Sequence, residues 1–144
     1  MPKDQCPICQ QLIDCRNNNY PLLIREFPHS YFVLGQHQFY NGYCLLLAKT
    51  HVREMHTLSA DVQQGLAQEL MLAGKAVATT FTPWKMNYAS YGNVVEHLHW
   101  HIIPRYADDP KRQECPFTRA AQFEQFLTQP QDAEEKIRLL KLYL

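Results

Sequence analysis

The stretch "EHLHWHIIPR", residues 96–105, decides the fold and directs the search for a function. It contains three of the chain's seven histidines, spaced two residues apart: His97, His99 and His101. Alternate side chains of a β-strand point to the same face, whereas a helix would spread these three over roughly 200°. We therefore predict that residues 97–103 form a strand with the histidines on one face and the intervening apolar residues on the other.

The histidine row is open to three interpretations. It could be the polar face of a half-exposed strand, although imidazole is a poor filler for such a face unless its nitrogens are used. All three side chains could bind a metal, since neutral imidazole is a good ligand. Alternatively, one imidazole could be a nucleophile that its neighbours orient. A hydrolytic metal site usually also recruits carboxylates, and only Glu96 flanks the row, so the segment favours the nucleophile.

The composition predicts one domain without a net charge. The chain has 144 residues, and its 14 Lys and Arg residues balance 14 Asp and Glu residues. Such a balance provides no long-range attraction to nucleic acid or to an anionic membrane. Residues 1–10 lack an apolar signal core, and the longest aliphatic run, residues 44–48, is too short to cross a bilayer. We therefore expect a cytoplasmic protein without nucleic-acid or membrane partners.

The order of hydrophobic patterns predicts an α+β domain. We expect three strands at 20–27, 30–36 and 42–51. One long helix follows at 59–81, and two further strands follow at 84–91 and 97–103. Apolar residues from Val62 to Phe81 recur at spacings of three and four, which places them on one helix face. Ser59 is a candidate N-cap, and Pro83 follows the helix end. The domain would thus contain a five-stranded antiparallel sheet and one long helix.

The C-terminal region predicts two shorter helices. An apolar cluster at 123–127 indicates the first, and the second extends over 133–143, with Asp132 and Glu135 as a capping pair. We divide the chain into a main domain that carries the cysteine-containing N-terminal arm and a helical extension of the same domain: residues 1–110 and 111–144.

The segment "HLHWHIIPR" (97–105) resembles the signature of the histidine triad family, in which three histidines alternate with apolar residues and two further apolar residues follow. The resemblance extends back through "NGYCLLLAKTHVREMHTLSAD" (41–61) and covers roughly residues 20 to 106. Members of this family are mostly nucleotide-binding hydrolases or transferases that act on the α-phosphate. The resemblance therefore implies a homodimer whose sheets join across the two-fold axis, and a nucleotide substrate, with a purine base expected. Dinucleoside polyphosphates and nucleoside phosphoramidates are the implied substrate classes, and no catalytic cofactor is required.

The resemblance also assigns roles to the last two histidines of the row. His99, the middle one, would be the nucleophile and would form a covalent nucleotidyl intermediate. Its Nδ1–H can donate to a backbone carbonyl, which fixes the tautomer and directs the lone pair of the other nitrogen at phosphorus. His101, on the same face, would hydrogen-bond a phosphate oxygen or the leaving group.

The loop before the last strand, "NYASYGNVVE" (87–96), departs from the family pattern. Asn93 stands where many members have Gln, and Val94, which cannot supply a hydroxyl, stands where many have Ser or Thr. The resemblance nevertheless implies four nucleotide-binding candidates, the last of them near the ribose: Asn87, Gly92, Asn93 and Gln36. The two asparagines could equally be turn residues. The departures also favour a rival function, a nucleotide-binding sensor with little turnover.

The N-terminal motif "CPIC" (6–9) has three interpretations. A redox motif would follow a strand, for which the five preceding residues are too few. Two packed thiols are an alternative, and a zinc site would need two further ligands. Some members of the triad family bind a structural zinc through two N-terminal cysteines, a histidine after the third strand and the first triad histidine, which correspond here to Cys6, Cys9, His51 and His97. A second rival function is a metalloprotein in which the whole histidine row binds metal.

Overall fold

A computed structural model describes residues 1–144, and five strands form one sheet. The strands, β1 to β5, comprise Leu23–Glu26, Ser30–Leu34, Cys44–Ala48, Lys85–Ala89 and His99–Arg105. Neighbouring strands pair antiparallel in the order β1-β2-β3-β5-β4, so the last strand lies between β3 and β4. This topology confirms the predicted α+β fold with a five-stranded antiparallel sheet.

Three α-helices and three 3-10 helices accompany the sheet. Helices α1, α2 and α3 comprise Pro7–Arg16, Ala60–Phe81 and Pro130–Lys141. The 3-10 helices comprise Lys3–Gln5, Met55–Thr57 and Pro116–Phe126. No helix combines the length and the apolar character that crossing a bilayer requires.

Helix α2 covers one face of the sheet and forms the main core there. Its residues Ala73, Ala76 and Val77 are fully buried against inward-facing side chains of three central strands: Phe32, Leu34, Leu46 and Ile102. Burying a Val, Leu, Ile or Phe side chain stabilises the fold by about 1.5–3 kcal/mol. The helix begins after Ser59, as predicted, although the Ser59 side chain makes no capping hydrogen bond. It ends where Thr82 adopts a left-handed conformation with a φ of 46°.

Helix α1, which the sequence patterns do not predict, packs on the opposite face of the sheet. Its buried residues are Ile8, Leu12 and Cys15. They pack against Tyr31, Val33 and Leu47 of β2 and β3, whose side chains alternate along the strands with those that face α2. Cys6 is the N-cap, and its Sγ accepts a hydrogen bond from the backbone N–H of Cys9 at 3.4 Å. Pro7 occupies the first helical position, where its missing N–H costs nothing. The two cysteines therefore lie at a helix start that no strand precedes.

Helix α3 begins at Pro130, before the predicted start at 133, and packs on α2 and β1. The predicted capping pair is wrong, because the N-cap position is Gln129, which makes no side-chain capping bond. Asp132 and Glu135 instead form ion pairs within the helix, with Lys136 and Arg138 respectively.

Strand β5 extends two residues beyond its predicted end and begins at His99, so His97 lies in the segment that leads into it. The predicted alternation of side chains is confirmed by the strand register. His99 lies opposite Leu47, which belongs to the α1 side of the sheet. Trp100 lies opposite Leu46, which belongs to the α2 side. The fold therefore presents His99 and His101 on the face that α1 partly covers.

Candidate functional site

His99 has the geometry of a nucleophile with a fixed tautomer. The residue is buried, with 8% of its surface exposed. Its Nδ1 lies 2.6 Å from the main-chain carbonyl oxygen of His97. Because a carbonyl only accepts hydrogen bonds, Nδ1 carries a proton, so in the neutral imidazole Nε2 presents the unprotonated lone pair. This is the tautomer that nucleophilic attack through Nε2 requires.

His101 is oriented by Tyr43. The Tyr43 hydroxyl lies 2.7 Å from Nδ1 of His101 and has no other hydrogen-bond partner. Burial and, to a smaller extent, the nearby His99 and His37 lower the pKa of His101 to about 4. Burial also raises the pKa of Tyr43 above its usual range. At neutral pH the tyrosine therefore donates to Nδ1 of an uncharged His101, whose own proton lies on Nε2.

Two cavities meet at His99. The first, the α1 cavity, has a volume of about 290 Å³, and its lining includes Gln11, Tyr20, Gln36 and His37. The second, the loop cavity, has a volume of about 520 Å³ and is lined by Tyr91–Val95, His99, His101, Cys115 and Phe117. His99 lines both, so one bound molecule can extend into both cavities while it contacts this imidazole. A larger groove of about 630 Å³ between β1 and α3 contains no histidine or cysteine and offers no comparable chemistry.

The 3-10 helix Pro116–Phe126 contributes two aromatic side chains to the site, one beside each cavity. The ring centroid of Phe117 lies 4.9 Å from that of His101, and Phe123 stacks on His37 at 4.1 Å. Burial lowers the pKa of His37 to about 4, and its Nδ1 has no hydrogen-bond partner. His37 is therefore an uncharged ring at neutral pH.

A buried arginine anchors the segment that leads to this 3-10 helix. Arg105 is only 1% exposed and donates a hydrogen bond to Oδ1 of Asn87 at 3.0 Å. It also donates to the main-chain carbonyl oxygens of Lys111 and Glu114, at 3.1 and 2.9 Å. Arg105 therefore holds the polypeptide that positions Phe117 beside the histidines.

Four cysteine and histidine side chains form a second cluster beside the row. Their ligand atoms lie within 4.8 Å of one another: Cys6, Cys9, His51 and His97. Nδ1 of His97 lies 3.6 Å from Sγ of Cys6 and 3.5 Å from Sγ of Cys9. Nδ1 of His51 lies 3.1 Å from Sγ of Cys9 and 3.2 Å from Nδ1 of His97. Tetrahedral zinc, with Zn–S of about 2.3 Å and Zn–N of about 2.0–2.1 Å, separates such ligand atoms by about 3.3–3.8 Å, so the cluster has the size of a zinc site.

The outer nitrogens of the two clustered histidines face main-chain oxygens. Nε2 of His97 lies 2.7 Å from the carbonyl oxygen of Ala48, and Nε2 of His51 lies 3.2 Å from that of Met1. Each carbonyl accepts the Nε2 proton and leaves Nδ1 unprotonated towards the cysteines. Both imidazoles are therefore in the tautomer that binds a metal through Nδ1.

The structure divides the histidine row between two sites. His97 faces the cysteines, whereas His99 and His101 line the loop cavity and lie outside the four-residue cluster. Nδ1 of His99 contacts the His97 carbonyl, and Nδ1 of His101 contacts the Tyr43 hydroxyl. The geometry therefore disfavours the interpretation in which all three histidines bind one metal.

The family model of the HIT domain matches residues 16–108, which is more than half of the chain. The chain belongs to the HIT family. HIT stands for histidine triad, and the family match confirms the resemblance that the three alternating histidines indicate. No sequence among the curated proteins matches the chain.

Solved structures of HIT proteins share the fold of this chain. A histidine triad protein from Bradyrhizobium japonicum is 23% identical, with a TM-score of 0.73 over 84% of this chain and 88% of that one. A zinc-bound histidine triad family protein from Mycobacterium smegmatis is 21% identical, with a TM-score of 0.69 over 99% and 94% of the two chains. The diadenosine triphosphate hydrolase of Plasmodium falciparum is 18% identical, with a TM-score of 0.59 over 85% and 76%. At these identities the likeness establishes the HIT fold alone.

The four nucleotide-binding candidates lie in three places in this HIT protein. Gln36 lines the α1 cavity. Gly92 and Asn93 line the loop cavity, where Gly92 has a φ of 68°. Asn87 lines neither cavity, and its Oδ1 binds Arg105. The fold thus brings three of the four candidates into cavities that His99 also lines.

The sequence alone does not identify three side chains of the HIT site: His37, Tyr43 and Phe117. Tyr43 lies two residues before Leu45, which pairs with His101. Alternation along the strand would place Tyr43 on the histidine face once that register is known. No local pattern marks His37 or Phe117, because their position depends on how the distant C-terminal segment packs.

Proposed function

We propose that this HIT protein hydrolyses nucleotide substrates, or transfers their nucleotidyl group, at the α-phosphate through a covalent intermediate on His99. One observation carries the proposal. Nδ1 of His99 donates to the His97 carbonyl at 2.6 Å, so the neutral imidazole presents the lone pair of Nε2 on a residue where two cavities meet. Neutral imidazole approaches an anionic phosphate without the repulsion that a carboxylate would meet. The fold shared with a diadenosine triphosphate hydrolase supports this class of reaction.

The reaction proceeds as two displacements at phosphorus. Nε2 of His99 forms a bond to the α-phosphorus as the bond to the leaving group breaks. Water or another acceptor then attacks phosphorus, and the bond to His99 breaks, which releases the nucleoside monophosphate or the transfer product. His101 donates a hydrogen bond from Nε2 to a phosphate oxygen or to the leaving group, in the tautomer that Tyr43 fixes.

The nucleoside occupies the α1 cavity in this proposal. Gln36 binds ribose hydroxyls there, and the aliphatic and aromatic lining suits a planar purine base. Gly92 and Asn93 bind phosphate oxygens from the adjoining loop cavity. Asn87, which lines neither cavity, holds Arg105 through its Oδ1 and is assigned no contact with the nucleotide in this proposal. The chemistry requires no catalytic cofactor, because the imidazole itself is the nucleophile.

We also propose that the Cys₂His₂ cluster holds a structural zinc ion. The ligands would be Cys6, Cys9, His51 and His97. The donor set is one that zinc prefers, and both histidines have carbonyl partners that orient them. With four protein ligands the ion has no open coordination position, so it supplies a cross-link between the N-terminal arm and the sheet. The zinc-bound HIT protein from Mycobacterium smegmatis supports this assignment.

A homodimer through β4 and α2 completes the proposal. Strand β4 is at the edge of the sheet and exposes Tyr88. On α2, Met71 and Leu72 are 53% and 52% exposed. Tyr88 packs close to this helix, because a Cβ at Gly74 would lie only 2.3 Å from the Tyr88 hydroxyl. An apolar helix surface beside an unpaired strand edge is a surface that a second copy can cover.

The function is tested by the turnover of an adenosine 5′-phosphoramidate. His99→Ala removes the nucleophile and should lower kcat/KM by at least about 1000-fold. His56→Ala is the matched control, because His56 is exposed and lines neither cavity, and it should retain the wild-type rate. If His99→Ala retains the activity, the proposed enzyme mechanism is wrong. Nucleotide binding without turnover in the wild-type protein would favour the sensor instead.

A further inference from the structure

The groove between β1 and α3 lies along an open edge of the sheet. Strand β1 is the first in the strand order and pairs only with β2. Leu22 packs with the core on the α2 side of the sheet, whereas Leu23 packs with the cluster that contains the α1 residues. Both leucines line the groove, so the groove follows the strand edge itself rather than one face of the sheet. The outer main-chain N–H and C=O groups of such an edge have no partner within the sheet.

The groove has a volume of about 630 Å³ and a largely apolar lining. Its apolar residues come from the segment that enters β1 and from α3: Pro21, Leu22, Leu23, Pro130, Ala133 and Ile137. The three residues from α3 are spaced by three and four, so they form one stripe along the helix. A groove between a strand edge and a helix accepts an extended peptide, whose main chain pairs with the edge and whose side chains fill the groove.

Positive charge is confined to one end of the groove. Arg138 and Lys141 line it from the last turns of α3. Arg138 is paired with Glu135, whereas Lys141 has no ionic partner. Glu134 also lines the groove, but it lies seven residues before Lys141, which is roughly 10 Å along the helix. An acidic side chain of a bound peptide is therefore favoured at the Lys141 end and disfavoured beside Glu134.

We propose that this groove binds an extended peptide segment of another protein, with apolar residues at alternate positions and an acidic residue at one end. Helix α3 has 12 residues, so it is about 18 Å long. That length matches about five to six residues of an extended chain at about 3.3 Å each. The inference is independent of the proposed function, because the groove shares no residue with the two cavities at His99.

Two hexapeptides test the proposal by isothermal titration calorimetry: acetyl-Val-Thr-Val-Thr-Val-Asp-amide and acetyl-Asp-Val-Thr-Val-Thr-Val-amide. They carry the carboxylate at opposite ends and so cover both strand directions. We expect at least one of them to bind with a Kd below about 500 μM. Asn in place of Asp should weaken that binding by at least about threefold. If neither peptide binds with such a Kd, the proposal is wrong.

Reversing the charge at the end of the groove locates the binding site. Lys141→Glu should weaken the binding of the Asp-containing peptide by at least about fivefold and leave that of its Asn counterpart unchanged. Lys141 is exposed, so folding should be unaffected. Lys111→Glu is the matched control, because Lys111 is also exposed and lies outside the groove. Wild-type affinity in Lys141→Glu would overturn the assigned site.

N-methylation of the peptide separates strand pairing from the filling of apolar space. Successive residues of a strand direct their N–H groups to opposite edges, so only one alternate set can pair with β1. Methylation of that set should weaken binding by at least about tenfold, and methylation of the other set should have a much smaller effect. Decanoate, which has an acyl chain and a carboxylate but no amides, should not displace the peptide at about 1 mM. Equal effects of the two methylated sets, or displacement by decanoate, would overturn the proposal and favour a fatty-acid ligand.

Discussion

The main-chain carbonyl of His97 accepts a hydrogen bond from Nδ1 of His99 across 2.6 Å, while the imidazole of His97 faces Cys6 and Cys9. One residue therefore belongs to both sites. Its side chain is part of the Cys₂His₂ cluster, and its carbonyl fixes the tautomer of the proposed nucleophile. The cluster can thus stabilise the position of the carbonyl that orients His99 without itself contacting a substrate.

Loss of a cysteine ligand should release zinc and destabilise the fold. Cys9→Ser leaves three ligands, so we expect the zinc content to fall from about one ion per chain to near zero. The melting temperature should fall by at least about 5 °C, because the cross-link to the N-terminal arm is lost. Elemental analysis and thermal unfolding measure both effects. Cys115→Ser is the matched control, since Cys115 is exposed and lies outside the cluster.

The zinc content of three histidine variants shows whether the whole row binds one metal or only His97 does. His97→Ala should lose zinc, whereas His99→Ala and His101→Ala should retain it. Loss of zinc in all three would favour the metalloprotein. Unchanged metal content and melting temperature in Cys9→Ser would instead mean that the two cysteines are packed thiols.

Removal of the Tyr43 hydroxyl should lower kcat more than it changes KM. Tyr43→Phe deletes the donor to Nδ1 of His101, so the proton of His101 can move to the nitrogen that faces away from substrate. A hydrogen bond of this kind contributes about 1 kcal/mol, which corresponds to a decrease in kcat of about fivefold. Tyr31→Phe deletes a hydroxyl that bonds Glu26 and lines neither cavity, and it should leave kcat unchanged.

Nitrogen NMR of His101 distinguishes this positioning role from a general loss of packing. The wild-type protein should show a proton on Nε2, and Tyr43→Phe should show a mixture of the two tautomers. A single Nε2–H tautomer in both proteins would contradict the assigned role of Tyr43.

His37 should make the free energy of unfolding depend on pH. Burial lowers its pKa to about 4 in the folded protein, from an ordinary value of 6.5. Between pH 6.5 and 4 the unfolded chain binds a proton that the folded protein does not, so the free energy of unfolding decreases as the pH falls. His37→Phe keeps a ring between Tyr43 and Phe123 and removes this titration.

Urea unfolding at about pH 7, 6 and 5 measures the effect. The free energy of unfolding should decrease less steeply with falling pH in His37→Phe than in the wild-type protein. All other ionisable groups are present in both proteins, so the difference between the two slopes isolates His37. Equal slopes would show that His37 is protonated alike in the folded and unfolded protein.

A charge on the exposed surface of α2 and β4 should separate the proposed dimer. Met71→Asp and Tyr88→Asp each place a carboxylate in the apolar surface that a second copy would cover. Light scattering should report a dimer for the wild-type protein and a monomer for both variants. Leu142→Asp alters another exposed apolar residue, at the C-terminal end, and this variant should remain dimeric. A wild-type monomer would contradict the proposal.

Features with a short-range signal could be predicted from the sequence. The alternation of the three histidines with apolar residues predicts two strand faces. The register of β5 confirms this from His99 onward, whereas His97 lies before the strand. The long helix follows from the spacing of its apolar residues and from the positions of Ser59 and Pro83. The HIT resemblance also pointed to the four clustered ligands, which the fold brings together from three separate segments.

The remaining features depend on contacts that are distant in sequence. Helix α1 is short, and its buried residues find their partners only on the assembled sheet. The contact of Tyr43 with His101 requires the register of β3 against β5. Phe117 reaches His101 because the buried Arg105 holds the intervening segment. The division of the chain at residue 110 stays a prediction.

The central claim is that His99 carries the nucleotide during the reaction. The most direct measurement is to mix the protein with an adenosine 5′-phosphoramidate, quench at alkaline pH, where a phosphorus–nitrogen bond survives, and identify modified peptides by mass spectrometry. We expect adenylate on the peptide that contains residues 97–101, assigned to His99 by fragmentation, and no adenylate in His99→Ala. Adenylate on another residue, or turnover by the wild-type protein without any adenylated histidine, would contradict it.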